Sequence, residues 1–328
     1  MQTSRFLLAA QSGEFEMPDG RVAWLNASPY ADLGTQNITA AQAHFPDHAA
    51  LQMRGIDVSP VLESEVDHAV INAHRAKAAT LELIGHAVMK TRPGGIIAVD
   101  GDKTDGIESI LKELKRRFDE VASYSKAHGK LVWFTRPEMV PAIDDWLDST
   151  YLFPNGWTTR AGVFSADGPD QGSKALAEVL PSLKGKIADL GAGWGYLTAE
   201  VLKSAEVSAI DGFEADYHAV SCARHNVTDP RASFHWTDVL QLDTDGYDTV
   251  VTNPPFHISR KPDPTLGAGF IRKAAEILKP KGQLWLVANR TLPYEATLEE
   301  HFRQTKTVAQ TGGFKVIHAH TPKKARTR

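Results

Sequence analysis

The chain has 328 residues, enough for two ordinary domains, and its 42% hydrophobic and 23% charged residues are normal for a soluble globular protein. No stretch approaches the roughly 20 apolar residues of a membrane span. The formal net charge of −4 argues weakly against a surface coated with basic residues for nucleic acid.

A cytoplasmic location is the simplest interpretation of the cysteine content. Cys222 is the single cysteine, so no disulfide within the chain is possible. Residues 1–16 hold one short apolar run and then turn acidic, which is a poor match to a signal peptide. The segment 301–328 contains seven Lys or Arg residues and no Asp or Glu. It could contact phosphates or form a solvated terminus, and the sequence leaves both open.

The first half of the chain is predicted to be an α/β domain, residues 1–150. Apolar residues at strand and helix spacing predict strands at 22–25, 69–71, 95–99 and 130–134 and helices at 76–89 and 106–118. Residues 137–166 hold Pro, Gly and aromatic residues without a clean period. The domain junction is therefore placed near residue 150.

The second half, residues 151–328, alternates strand and helix signals. Predicted strands are 186–190, 207–213, 232–236, 249–252, 283–287 and 313–317, with helices at 196–203, 215–225 and 267–278. Such alternation indicates a doubly wound, largely parallel sheet.

An internal repeat suggests that the two halves are copies of one fold. Residues 67–74 resemble 248–255, and residues 89–95 resemble 277–282, in the same order along the chain. Chance similarity between strand–turn units is the alternative. The first half lacks the double proline of the second and has no glycine-rich loop.

The tetrapeptide Asn253-Pro254-Pro255-Phe256 follows the predicted strand 249–252. Prolines have no N–H and a fixed φ, so the pair forces a rigid turn at the end of that strand. Ligands of open α/β sheets bind at such strand ends. The oxygen of the Asn253 side chain can accept from an exocyclic amino group, and the ring of Phe256 can stack on a flat base. The turn therefore predicts a grip on a planar nitrogenous substrate.

A glycine-rich turn, Gly191-Ala-Gly193-Trp-Gly195, follows the predicted strand 186–190. Glycines let the backbone turn tightly and let a ligand lie against bare main chain. The spacing differs from the G-x-G-x-x-G fingerprint of dinucleotide sites.

Acidic residues at the next strand ends are candidates for binding the rest of a nucleoside-containing ligand. About twenty residues after a glycine loop, an acid at a strand tip can bind ribose hydroxyls. Glu214 is favoured for this role, and Asp211, inside the strand, is the alternative. Asp238 could accept from an adenine amino group or be an ordinary turn residue. Asp170 and Ser173 could cap a helix, line the site, or both.

These motifs together resemble the class I S-adenosylmethionine-dependent methyltransferases. The shared features are Asp189-Leu-Gly-x-Gly-x-Gly, an acid after the next strand, and Asn-Pro-Pro-Phe, which in that class marks methylation of nitrogens conjugated to a π system. Residues 162–173, 253–257 and 286–294 narrow the resemblance to the bacterial ribosomal RNA guanine-N2 methyltransferases, most like the small-subunit enzyme.

The resemblance implies two tandem Rossmann-like methyltransferase domains. Residues 1–150 would be degenerate, without cofactor binding, and would serve as a scaffold or RNA-binding domain. Residues 151–328 would be catalytic, with a seven-stranded class I sheet. The implied cofactor is S-adenosylmethionine, and the implied partner is ribosomal RNA or an assembling small subunit, with no membrane and an open oligomeric state.

The implied reaction is an in-line displacement in which guanine N2 attacks the methyl group of the sulfonium and S-adenosylhomocysteine leaves. Asn253 and the Pro254 carbonyl would accept its two N–H groups, and Phe256 would stack on the flipped base. No metal is required, and no Cys/His cluster with ligand spacing is visible. The cofactor-binding residues would be Asp189, Gly191, Gly193, Gly195, Glu214, Asp238, Asn253 and Phe164.

Two other functions fit part of this pattern. The grip of Asn253 and Pro254 serves any conjugated amino group, so an aminomethyltransferase acting on adenine N6 or protein glutamine is one alternative. The other is an RNA-binding module without turnover. The intact tetrapeptide argues against that module, because a pure binder has no need to polarise an amine.

Overall fold

The computed structural model describes residues 2–16, 19–32, 37–255 and 264–323. The chain divides into two compact units: unit 1 is Met1–Tyr151 with Arg160–Gly162, and unit 2 is Leu152–Thr159 with Val163–Arg328. In the described ranges, no helix is both long enough and apolar enough to cross a membrane. Phe256, the predicted stacking residue, lies outside those ranges.

The secondary structure alternates between strands and helices through most of the chain. From residue 2 to residue 152 the elements are β1 (Gln2–Thr3), α1 (Arg5–Gln11), β2 (Val22–Leu25), β3 (Ala31–Asp32), β4 (Ile38–Ala41), α2 (Phe45–Met53), β5 (Asp57–Ser59), β6 (His68–Asn72), α3 (Lys77–Lys90), β7 (Ile96–Asp102), α4 (Ile107–Arg117), β8 (Ala122–Lys126), β9 (Gly129–Thr135) and β10 (Thr150–Leu152). From residue 158 they are β11 (Thr158–Arg160), α5 (Gln171–Val179), β12 (Gly185–Leu190), α6 (Tyr196–Leu202), β13 (Val207–Glu214), α7 (Tyr217–Asn226), β14 (Ala232–Trp236), β15 (Tyr247–Thr252), α8 (Pro264–Ile277), β16 (Leu278–Asn289), α9 (Glu295–His301), β17 (Phe302–Thr311) and β18 (Phe314–Pro322).

The main sheet of unit 2 has seven strands in the order β14-β13-β12-β15-β16-β18-β17. The first five are parallel, and β18 runs antiparallel to both of its neighbours. At the centre, Leu190 of β12 lies opposite Phe213 of β13 and Thr252 of β15. The carboxyl ends of these three strands therefore meet at one edge of the sheet.

Helices cover both faces of this sheet, which explains why β12 and β15 are buried over most of their length instead of at alternate residues. On one face, Leu190, Val250 and Leu284 share a core cluster with Phe270 and Ile271 of α8. On the other face the buried cluster joins strand residues to α5, α6 and α7, and includes Ile187, Val251, Leu176, Leu197 and Val220.

The main sheet of unit 1 repeats this topology with the order β5-β4-β2-β6-β7-β9-β8. Its first five strands are parallel, and β9 is antiparallel to both neighbours. Strand for strand, β2 corresponds to β12, β4 to β13 and β6 to β15. The predicted α/β class with two tandem Rossmann-like domains is confirmed.

Several strands escape prediction because their sequences carry weak strand signals. Ile38–Ala41 is short and ends in two alanines. The edge strands Ala122–Lys126 and Phe302–Thr311 consist mostly of polar residues, and more than half of their residues are exposed. Edge strands with polar side chains avoid aggregation but lose the apolar pattern that sequence reading relies on.

Glu82 on α3 contacts two segments of unit 1, the one before the chain leaves the unit after Tyr151 and the one where it returns at Arg160. Its buried carboxylate is 2.6 Å from Arg160 Nη2 and accepts from Ser149 Oγ at 2.7 Å. Only 7% of the Glu82 side chain is exposed, against 27% for Arg160. Loss of one partner would leave the other charge poorly solvated.

We expect Glu82→Ala to lower the free energy of unfolding by about 2–4 kcal/mol, because Arg160 loses its buried partner. Urea unfolding of the full chain measures this. Glu108→Ala is the matched control, because Glu108 is 55% exposed and 3.5 Å from Lys130, and it should shift the unfolding midpoint much less. Equal shifts for both variants would contradict the role given to Glu82.

Candidate functional site

The turn after β12 exposes bare main chain at the carboxyl edge of the unit 2 sheet. Gly191, Gly193 and Gly195 have φ values of 74°, 55° and 95°, the left-handed region that favours glycine. No heavy atom lies within 4 Å of an ideal Cβ built on Gly193, so that residue borders open space. Gly195 is the N-cap of α6, and a Cβ there would come within 3.0 Å of Val227.

Glu214 ends β13 directly beside this turn. Its Oε2 accepts the Gly193 N–H at 2.9 Å, and its Oε1 accepts the N–H groups of Ala215 and Asp216 at 2.8 and 2.9 Å. A carboxylate offers about four acceptor positions, so at least one remains for a further donor. Burial raises the pKa of this carboxyl despite the three N–H donors. The position and chemistry fit a ligand hydroxyl.

Asp211, the alternative acid, lies inside β13 and is already used. Its carboxylate accepts from Tyr247 Oη at 2.8 Å and lies 3.3 Å from both Lys186 Nζ and His235 Nε2. These contacts form a polar cluster within the sheet. The geometry therefore favours Glu214 for binding at the strand tip.

Asp189 sits one residue before the end of β12 and is fully buried. Its Oδ2 accepts from Thr198 Oγ1 of α6 at 2.7 Å, and Oδ1 has no hydrogen-bond partner among the described residues. Burial raises the pKa of this carboxyl to about 7, with a smaller contribution from the charge of Glu214. Asp189 thus ties the start of α6 to β12, and its burial favours a supporting role over direct ligand contact. Thr198, its partner, carries no recognisable sequence signal.

Asn253 follows β15 on the other side of the glycine turn. An ideal Cβ on Gly191 would lie 3.8 Å from the Asn253 carbonyl oxygen, which shows how closely the two segments approach. The Asn253 Nδ2 donates to Asp170 Oδ2 at 2.8 Å and to Ser173 Oγ at 2.9 Å. Pro254 is buried and Pro255 is exposed. The sequence signals at Asp170 and Ser173 predict a helix cap, which is present, but not these contacts with Asn253.

Phe164 and Asp238 border the same region. Phe164 is 57% exposed, and its carbonyl accepts from the indole N–H of Trp194, inside the glycine turn, at 3.2 Å. Asp238 caps a short 3-10 turn by accepting from Leu240 N–H at 2.9 Å, which is the turn role considered for it. The residue before it, Thr237, donates its N–H to the Glu214 carbonyl at 2.9 Å.

The corresponding acid position in unit 1 holds an amide. Gln42 follows β4 as Glu214 ends β13; its Oε1 accepts from His44 N–H at 2.8 Å and its Nε2 donates to the Ala27 carbonyl at 2.6 Å. Only 4% of Gln42 is exposed. Gln42 is neutral and hydrogen-bonded within its own unit, so this position lacks the negative charge that Glu214 offers to ligand hydroxyls.

Asn72 in unit 1 is likewise committed to internal contacts. Its side-chain oxygen accepts from the indole N–H of Trp24 at 2.8 Å, so that oxygen is already engaged. Nearby, Arg5 of α1 pairs with Asp100 at 2.5 Å and Asp102 at 2.8 Å. The same edge of the two sheets therefore carries different chemistry.

The buried Asp189 should make stability depend on pH. In the unfolded chain the pKa of this carboxyl is about 4, whereas in the folded chain it is about 7. Between those values the folded state holds the extra proton, so the free energy of unfolding falls as pH rises across this window. We expect Asp189→Asn to flatten that fall, as measured by urea unfolding between pH 4 and about 8. Parallel pH profiles for the two proteins would contradict this.

Comparison with known proteins identifies related methyltransferases. The methyltransferase small domain family matches residues 156–318. The ribosomal RNA small subunit methyltransferase C of Shewanella sediminis is 31% identical over 303 residues, covering 88% of this chain and 82% of that protein. The protein of the same name from Acinetobacter baylyi is 28% identical and covers 84% of this chain and 86% of its own length.

A solved structure shares the fold over nearly the whole chain. It is the T. thermophilus 16S rRNA N2 G1207 methyltransferase (RsmC) in complex with AdoMet and guanosine, with a TM-score of 0.79 and 24% identity, covering 94% of this chain and 90% of that one. At this identity the likeness concerns the fold. On the strength of the Shewanella sediminis relative, the chain belongs to the ribosomal RNA small subunit methyltransferase C family.

Proposed function

We propose that this protein transfers a methyl group from S-adenosylmethionine to the exocyclic N2 of a guanosine in ribosomal RNA. The observation that carries the proposal is that Glu214 and Asn253 flank one glycine turn at the carboxyl edge of the unit 2 sheet. Family membership supplies the substrate class, and the T. thermophilus structure holds AdoMet and guanosine. Because ribosomal RNA is a cytoplasmic molecule, we place the reaction in the cytoplasm.

The residues at this edge fit S-adenosylmethionine. Glu214 offers acceptor oxygen to a ribose hydroxyl, and Gly193 leaves space for the ligand against main chain. The exposed ring of Phe164, anchored through its carbonyl to Trp194, would border the bound cofactor. Asp238 would face the adenine amino group. Asp189 would support the glycine turn through its hydrogen bond with Thr198 of α6.

When bound, S-adenosylmethionine supplies an electrophilic methyl group attached to a sulfonium. The guanine amino nitrogen is a poor nucleophile because its lone pair is delocalised into the ring. Asn253 Oδ1 and the Pro254 carbonyl would each accept one N–H, which favours a tetrahedral nitrogen and stabilises the positive charge that develops on it. The proton is then lost to solvent, so no strong general base is needed.

Unit 1 would act as a scaffold or RNA-binding domain. Its Gln42 and Asn72 use their side chains internally, which removes the chemistry that Glu214 and Asn253 offer in unit 2. The substrate would be free ribosomal RNA or an assembling small subunit. Family membership favours guanine over adenine N6 or protein glutamine as the target of these acceptor groups.

Asn253→Ala should reduce kcat for methyl transfer by at least about 100-fold, because a positioned acceptor for the amino group is lost. Cofactor affinity should change little, since Glu214 and the glycine turn are untouched. Radiolabelled methyl transfer to unmodified small-subunit RNA, beside a cofactor titration, measures both. Substantial residual turnover would show that Asn253 does not perform the assigned role.

Glu214→Gln should raise the dissociation constant for S-adenosylmethionine by about 10- to 100-fold, because a charged acceptor is lost. Calorimetric titration of the purified protein gives this value. Asp211→Asn, on the same strand, is the control and should leave binding nearly unchanged. The reverse pattern would transfer the ribose-binding role to Asp211.

A further inference from the structure

We propose that Asp170 and Ser173 are positioning residues for methyl transfer. They hold the Asn253 side chain so that its nitrogen faces these two residues and its oxygen faces the substrate amino group. The inference rests on the proposed function, because it assigns a purpose to the orientation of Asn253. It concerns the cap residue and the first turn of α5, 83 and 80 positions away from Asn253 along the chain.

The orientation of the Asn253 amide follows from the chemistry of its neighbours. Asp170 Oδ2, 2.8 Å away, belongs to a carboxylate that can only accept a hydrogen bond when it is ionised. The amide nitrogen must therefore face Asp170, with Ser173 Oγ at 2.9 Å as its second acceptor. Nitrogen and oxygen are separate branches of the planar amide, so with Nδ2 facing Asp170 and Ser173, Oδ1 is turned away from those two side chains.

This orientation decides whether Asn253 can act on an amine. A flipped amide would turn N–H donors toward the N–H donors of the substrate, which repel each other instead of forming a hydrogen bond. A hydrogen bond to a charged acceptor favours one orientation by about 10- to 100-fold. Asp170 thus prepares the acceptor before substrate arrives, which is the form of preorganisation that lowers a reaction barrier.

Asp170 is itself held in place by the helix that it caps. The same Oδ2 atom accepts the Ser173 N–H at 2.9 Å, and Ser173 is only 8% exposed. Gly172 leaves the space that this arrangement needs, because a Cβ there would come within 2.9 Å of Asp170 Oδ2 and 3.0 Å of the Phe314 ring. Helix capping and orientation of Asn253 therefore share one carboxylate.

Two single substitutions separate these roles. Ser173→Ala removes one acceptor from Asn253 and keeps the Asp170 cap, so kcat should fall about fivefold. Asp170→Ser keeps a residue that caps helices well but removes the carboxylate, and kcat should fall about 10- to 100-fold. In both variants the dissociation constant for S-adenosylmethionine and the melting temperature should remain close to those of the unmodified protein.

Ser221→Ala is the matched control. Ser221 lies exposed on α7 and its hydroxyl donates within its own helix, to the Tyr217 carbonyl at 2.9 Å. The control also removes a serine hydroxyl from a helix of unit 2, but this hydroxyl makes no contact with Asn253. Its kcat should equal that of the unmodified protein.

An exchange of the two groups gives a stricter test. Asn253→Asp alone sets two carboxylates against each other and should be nearly inactive. Adding Asp170→Asn supplies an amide donor to the new carboxylate and leaves its other oxygen to accept from substrate. The double variant should therefore exceed Asn253→Asp in kcat by about tenfold or more.

The outcomes distinguish this inference from the function on which it rests. Full activity of Asn253→Ala would overturn the proposed role of Asn253 and the positioning role with it. An inactive Asn253→Ala beside unchanged kcat for Asp170→Ser and Ser173→Ala would overturn only the positioning role. Reduced kcat in those variants with recovery in the double variant supports the inference.

Discussion

Parallel pairing of β12 with β13 on one side and β15 on the other is the constraint on which the site depends. It places the ends of three strands at one edge, so that Glu214, the glycine turn and Asn253 become neighbours. The turn is possible because three glycines adopt left-handed φ values there. Direct contacts then join the parts: Gly193 donates to Glu214, and Gly191 approaches the Asn253 carbonyl.

The two units show that this topology does not fix function. Both sheets have the same strand order, yet two polar side chains at the edge of unit 1 are engaged in hydrogen bonds within that unit. Gln42 contacts the backbone of its own unit, and Asn72 accepts from Trp24. In unit 2 the equivalent positions keep acceptor groups at the edge. Under the proposed function, the chemistry of a few side chains at strand ends, and not the sheet itself, would distinguish the methyltransferase site of unit 2 from the same edge of unit 1.

The parts of this protein that depend on local chemistry can be predicted from the sequence. The apolar strands, the glycine turn and the double proline carry strong local signals, and the α/β class and family resemblance that they predict are confirmed. Polar edge strands such as β17 carry no such signal. The contact between Asn253 and Asp170 joins residues 83 positions apart, so it depends on the packing of α5 against the sheet and cannot be read from spacing.

Nucleoside mass spectrometry of ribosomal RNA from a strain that lacks this gene tests the central claim most directly. The account predicts that one N2-methylguanosine of the small-subunit RNA disappears and returns when the gene is restored. Small-subunit RNA with an unchanged N2-methylguanosine content in the deletion strain would contradict it.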